Sequence, residues 1–94
     1  MSQNFEDFQS CLEQSFLLQH GDYEETLTLV EVVRLNNAHA AGREPFSIVF
    51  QSANQEPIEQ KTYRLTNEQL GDLDVFIVPI EQNESGVRYE AVFS

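Results

Sequence analysis

The chain has no tryptophan, one cysteine, one methionine and three prolines, and its sixteen acidic residues face only five basic ones. Each shortage excludes something. Cys11, alone, cannot form an internal disulfide, and no cysteine–histidine pattern has zinc-ligand spacing, so no oxidising compartment is implied. A net charge of −11 with five scattered bases argues against DNA, RNA or anionic lipid as partners, because neutralising phosphates needs clustered Lys and Arg. The four glycines, Gly21, Gly42, Gly71 and Gly86, fall one to a turn, so they build no phosphate-cradling loop. The densest apolar run, Val75–Ile80, is six residues long and contains Pro79, far short of the roughly 20 residues a spanning helix needs. Met1–Asp7 is acidic and lacks the apolar core of a signal peptide. The expectation is a cytoplasmic protein with no membrane partner and no cofactor.

What is present is enough for a core. Apolar residues make up 40% of the chain, with seven Phe and three Tyr, so disorder is not expected despite the charge. A length of 94 residues gives room for one domain over 1–94. Three consecutive strands are legible, Thr62–Asn67, Asp72–Pro79 and Val87–Phe93, with turn chemistry at Asn67–Gly71 and Gln82–Gly86. In the last of them Val87, Tyr89, Ala91 and Phe93 share one face, the period of two of a half-buried strand. Asp72–Val78 is apolar on both faces after its start and is expected to be the central strand.

Nearer the start, Asn4–Leu12 forms one short helix. Asn4 is its N-cap, Glu6 and Asp7 sit at its positive end, and Phe5, Phe8 and Leu12 share one face. Phe16–His20 is a first strand, stopped by Gly21 and Asp22. A longer strand runs from Glu25 to about Leu35, and its pattern breaks: Leu27 and Leu29 alternate with Thr26 and Thr28, then Val30, Val32 and Val33 change face. A bulge near Leu29 and Val30, or a strand bent between two sheets, resolves the break. Asn36–Arg43 is the main exposed loop. Glu44–Gln51 is a strand with Phe46, Ile48 and Phe50 on one face and Pro45 at its start, and Ser52–Glu59 is a second polar loop. The fold expected is mainly β, a small six-stranded antiparallel barrel or two-sheet sandwich with one short N-terminal helix. Phe5, Phe8 and Leu12 are expected to cover one open end, over a wall that includes Phe46, Ile48, Phe50, Val75, Ile77, Tyr89 and Phe93.

No constellation for chemistry assembles. Cys11 falls at the end of its helix beside Glu13, where the dipole raises a thiol pKa, so a small buried apolar residue is the better reading. His20 ends a strand, His39 lies in a loop, and no third partner stands at the spacing of a triad. Asp72 and Asp74 share a strand face and Glu24 and Glu25 flank a turn, but a glycosidase needs two carboxylates across a cleft. The run Gly21–Glu25 lacks the ligand spacing of a calcium loop. No catalytic, cofactor-binding or metal residue is assigned, and the chain is not expected to be an enzyme.

Across these same pieces the chain resembles a family of small, functionally uncharacterised bacterial proteins. The matching segments are Phe8, Cys11-Leu12 and Ser15-Phe16, then Leu27–Val32, Glu44–Phe50 and Thr62–Leu65. They continue with Leu70-Gly71, Phe76–Pro79 and Tyr89–Phe93, and so cover nearly the whole chain. The resemblance implies glycine where Glu13 stands. It also implies a genomic neighbourhood of phage tail-collar-type proteins, and so a tail-related or secretion-related assembly role. The first expectation for function is thus a non-catalytic interaction or assembly module with a protein partner. Contact would run through an exposed strand edge or the Asn36–Arg43 loop. An acidic mimic of nucleic acid is the second, and a small metal-dependent enzyme or binder using Asp72, Asp74, His20 or His39 is the third.

Overall fold

The computed structural model describes residues 4–35 and 45–93; the Asn36–Arg43 loop lies outside them. Helix α1 spans Phe5–Gln9. It starts with a reciprocal cap: Asn4 Oδ1 accepts the Asp7 N–H at 2.9 Å, and the Asp7 carboxylate accepts the Asn4 N–H at 3.0 Å, satisfying two donors that the first turn leaves orphaned. The helix is shorter than Asn4–Leu12, because the chain turns sharply through Glu13, whose φ is +71°. Phe5, Phe8 and then Cys11 therefore point into the core, while Leu12 is 41% exposed. Cys11, not Leu12, is the third buried position of the lid.

Six strands follow among the described residues: β1 Ser15–His20, β2 Tyr23–Arg34, β3 Phe46–Ser52, β4 Lys61–Asn67, β5 Gly71–Asn83 and β6 Gly86–Phe93. They close into an antiparallel barrel in the order β1-β2-β3-β6-β5-β4. The two longest strands are its corners. Tyr23–Thr28 of β2 pairs with β1, and Leu27–Arg34 pairs with β3. In β5, Gly71–Ile77 pairs with β4 and Val78–Asn83 with β6. Each corner carries a register slip, between Leu29 and Glu31 in β2 and between Pro79 and Glu81 in β5. One extra residue bends the strand and lets it leave one sheet for the other. The break in hydrophobic pattern at Val30 is thus a bulge. Strand β5 also runs past Pro79 to Asn83, since a proline beside a bulge forfeits little of the ladder.

Exchanging β1 with β4, β2 with β5 and β3 with β6 reproduces the same ring in reverse, so two three-stranded meanders are related by an approximate two-fold. Their closing seam is short, with Leu17, Leu18 and Gln19 opposite Thr66, Leu65 and Arg64. A ring has no central strand. The strand buried on both faces is β3, where Phe46 through Phe50 are all buried, whereas Phe76 on the outside of β5 is 52% exposed. Closure also removes the long free edge expected for partner contact. The part of β5 beyond β4 is blunted by Pro79, the bulge and Glu81, devices that discourage edge pairing.

Each end of the barrel has its own cover. At one, the Phe8 ring lies 5.3 Å from Phe93 and 5.9 Å from Phe46, Phe46 stacks on Phe93 at 4.9 Å, and Phe5 meets Phe46 edge-on at 6.0 Å. The Arg34 guanidinium sits 4.0 Å over Phe5 and pairs with Glu6 at 3.1 Å. Burial of an aromatic side chain such as Phe8 contributes about 1.5–3 kcal/mol. At the other end residues 53–60 form a strap. Tyr89 accepts the Ile58 N–H at 3.0 Å, Tyr63 donates to the Glu59 carbonyl at 2.7 Å, and Gln55 and Gln82 tie the strap to the β5–β6 hairpin.

Candidate functional site

The residues with catalytic chemistry do not converge. The Cys11 thiol is fully buried, 3.6 Å from Asn67 Oδ1. Burial pushes its pKa up, a hydrogen bond with Ser10 opposes that, and Asp7 adds to it, so the thiolate is disfavoured. His20 meets the Tyr63 ring edge-on at 5.3 Å, with Nε2 3.5 Å from Lys61 Nζ. Asp72 accepts from the Thr66 hydroxyl at 2.9 Å, Asp74 from Arg64 Nε at 3.2 Å, and Glu24 from Gln19 at 2.9 Å. His39 lies outside the described residues, among which no three His, Cys, Asp or Glu side chains gather as a cation site.

Two polar clusters were not apparent from sequence. Under the strap, Tyr23 and Tyr89 lie beside Glu25 and Tyr63 beside Tyr89; Glu25 shares the inward series of Leu27 and Leu29. The alternation Tyr23, Glu25, Leu27, Leu29 is the signal that places a carboxylate inside. One Glu25 oxygen accepts the Tyr23 hydroxyl, and the other is buried without a hydrogen-bond partner among the described residues. Burial raises the pKa of all three phenols, and burial together with the bond to Glu25 pushes Tyr23 up to about 12. A phenol whose folded pKa lies above its unfolded value of about 10 adds stability that is complete below pH 10 and is lost as pH rises through the folded value. We expect unfolding free energy to fall by about 2 kcal/mol at most between pH 10 and 12 on account of Tyr23, and less in a Tyr23→Phe variant. Urea titrations at stepped pH measure it, and an equal fall in both proteins would refute the assignment.

At the opposite end, Glu13, Gln14, Ser15, Asn67, Glu68 and Gln69 line an open groove of about 470 Å³. Its amides largely satisfy one another: Asn67 donates to Gln14 at 3.2 Å, Gln14 to Gln69 at 3.4 Å, and Gln69 to the Ser10 hydroxyl at 2.7 Å. This knot fixes the α1–β1 corner. The left-handed φ of Glu13, +71°, is a position where glycine avoids strain.

The outer wall of β2, β3, β6 and β5 is different in kind. Val33 is paired with Ser47, and Ser47 with Val92. Phe76 stands outside on β5, opposite Thr62 of β4 and two residues before the segment that pairs with β6. Val33 and Val92, flanking the buried Ser47, are 39% and 59% exposed, and Phe76 is 52% exposed. The next row runs Glu31, Val49, Glu90, Val78. Beyond it Arg88 donates to Gln51 at 3.0 Å, so the wall grades from apolar to polar along the barrel axis.

The model of a family described as a domain of unknown function, DUF6916, matches residues 3–93. The chain belongs to the DUF6916 family. Neither a curated protein nor a solved structure matches it. In this DUF6916 domain no helix of the described residues is long and apolar enough to cross a membrane. Its chemistry-bearing side chains are spread over both ends of the barrel, and the outer wall gathers large exposed apolar groups on a rigid sheet.

Proposed function

We propose that this DUF6916 domain is a non-catalytic protein–protein interaction or assembly module, docking through the outer wall of β2, β3, β6 and β5. The observation that carries this reading is the exposure of the large apolar side chains Val33, Val92 and Phe76 on the outside of the barrel. Large apolar side chains left exposed beside polar ones are the usual makings of a protein contact, and a closed barrel holds them in place before the partner arrives. The resemblance noted from sequence points to a tail-related or secretion-related assembly as the setting. The acids favour this reading over a duplex mimic. They sit on α1 (Glu6, Asp7), the strap (Glu56, Glu59), the β4–β5 turn (Glu68), the start of β5 (Asp72) and the β5–β6 hairpin (Glu81, Glu84), whereas a mimic needs them along one line at phosphate spacing.

A photo-crosslinking residue placed at Phe76 or Val92 in the native host tests the proposal, with Gln19 on the opposite wall as control. Covalent adducts to discrete proteins are expected from positions 76 and 92 and not from 19. No adducts, or the same adducts from all three, would sink it.

A further inference from the structure

We propose that the strap end of the barrel binds a primary ammonium group, received by the free oxygen of Glu25 beside Tyr23 and Tyr89. The two halves of the ring show that this end is built differently from its counterpart. Leu18 and Leu65 face each other across the seam. On their other sides Leu18 is paired with Glu25, and Leu65 with Leu73. Glu25 therefore holds the place that a leucine packed against the core holds in the other meander. The covers differ in the same sense. Helix α1 closes its end with the buried Phe5 and Phe8. The strap is held largely by polar contacts, with Asn54 Nδ2 donating to the Tyr23 hydroxyl at 3.3 Å and the Ile58 N–H to Tyr89 at 3.0 Å. A carboxylate in a leucine's place loses packing and desolvates a charge, a departure from good core design of the kind that marks functional sites.

Glu25 sets the chemistry of the ligand. One oxygen accepts the Tyr23 hydroxyl, and the other is buried with no hydrogen-bond partner among the described residues. What it lacks is a donor, and a cationic donor makes the strongest bond to a carboxylate. The described basic side chains are engaged elsewhere: Arg34 with Glu6, Arg64 with Asp74, Arg88 with Gln51, and Lys61 at His20. The cation is therefore a ligand's. An alkylammonium brings three donors and no acceptor, and the neighbouring phenol rings attract it further. Glu25 as a whole is only half-buried, so a shift of the strap brings such a group to it, and the net charge of −11 draws cations toward the molecule.

The probe is n-butylammonium chloride, titrated into the isotope-labelled full chain, with sodium chloride at matched ionic strength and 1-butanol as the uncharged analogue. Saturable shifts are expected at the amides of Tyr23, Glu25, Ile58 and Tyr89, with a change in tyrosine emission. Binding should weaken about tenfold or more in Glu25→Gln. Glu25→Leu, which installs the residue of the other meander, should abolish binding and melt no lower than the parent, the mark of a side chain kept for a ligand rather than for the fold. A Glu25→Leu protein that melts well below the parent would give Glu25 a structural role and overturn the proposal. So would shifts that sodium chloride or 1-butanol reproduces, shifts confined to the α1 end, or binding left intact in Glu25→Gln. Tighter binding of Nα-acetyl-lysine amide than of butylammonium supports a partner's lysine as the source, and the reverse order supports a free amine. The site is separate from the outer wall, so crosslinks at positions 76 and 92 can fail without touching it.

Discussion

Replacing Gly86 by alanine is expected to destabilise the domain more than any other glycine substitution, by more than about 4 kcal/mol. Gly86 has φ +136°, and a Cβ there would stand 1.9 Å from the Ser52 carbonyl oxygen, 2.8 Å from its carbon and 3.0 Å from the Ala53 carbonyl carbon. Every one of those atoms is backbone, so no side chain can swing aside. The conformation alone costs a non-glycine residue about 1–3 kcal/mol, and separating the β5–β6 hairpin from the end of β3 costs more. A combined loss above about 4 kcal/mol is a large fraction of the roughly 5–15 kcal/mol a small domain has, and nearly all of its lower end. The control is Gly71→Ala, at φ +78° with nothing within 4 Å of the added carbon, which should lose only about 1–2 kcal/mol. Urea unfolding of both proteins decides it. A Gly86→Ala protein as stable as the Gly71→Ala one would show that the close approach to Ser52 is not a constraint.

The second large effect is expected at Asn67. This residue is 3% exposed. Its Oδ1 accepts the backbone N–H groups of Gln69 at 2.8 Å and Leu70 at 2.9 Å, and its Nδ2 donates to Gln14 at 3.2 Å and the Ser15 carbonyl at 3.0 Å. Asn67→Ala strips partners from the β4–β5 turn and the α1–β1 corner together, at about 1–3 kcal/mol for each buried group left unpaired. A total of about 3–5 kcal/mol corresponds to a melting point lower by about 15–30 °C in a domain of this size. Asn67→Asp retains the acceptor and should recover part of the loss. The loosened corner should also expose Cys11 to thiol reagents. A variant that melts within about 5 °C of the parent, with Cys11 still protected, would remove Asn67 from that role.

The strands were legible because each carries its own alternation. Val87, Tyr89 and Ala91 point inward as their period predicts, and even the irregularity at Val30 announced itself as a pattern out of phase. What was hidden depended on partners distant in sequence. The pairing of β3 with β6 and of β1 with β4 leaves no local mark, so ring and sandwich were equally good solutions. Phe76 and Val78 suggested a second buried face because an apolar interaction surface and an apolar core face look alike in one strand. Pro79 imitated a strand end, although it only precedes the bulge at Ile80. Leu12 was misplaced because the helix stops at Gln9 and the chain then runs through a turn to the left-handed Glu13, a path that helical periodicity does not anticipate. The carboxylate of Glu25 escaped notice for the opposite reason, since a charged residue beside a turn is ordinarily solvated.

The exchange symmetry of the two meanders has a consequence for how the chain assembles. Neither β1–β2–β3 nor β4–β5–β6 is a closed object, and each presents two unpaired flanks until it meets the other. Both closing contacts join one meander to the other, and the strap over residues 53–60 is the covalent link between them. Two chains refolding at high concentration can satisfy the same strand order by trading meanders, with the strap extended as a hinge instead of folded over Tyr89. Domain-swapped dimers of this kind preserve every strand pairing of the monomer, so the competition between the two forms is decided by concentration and by the hydrogen bonds that hold Ile58 and Glu59 in place.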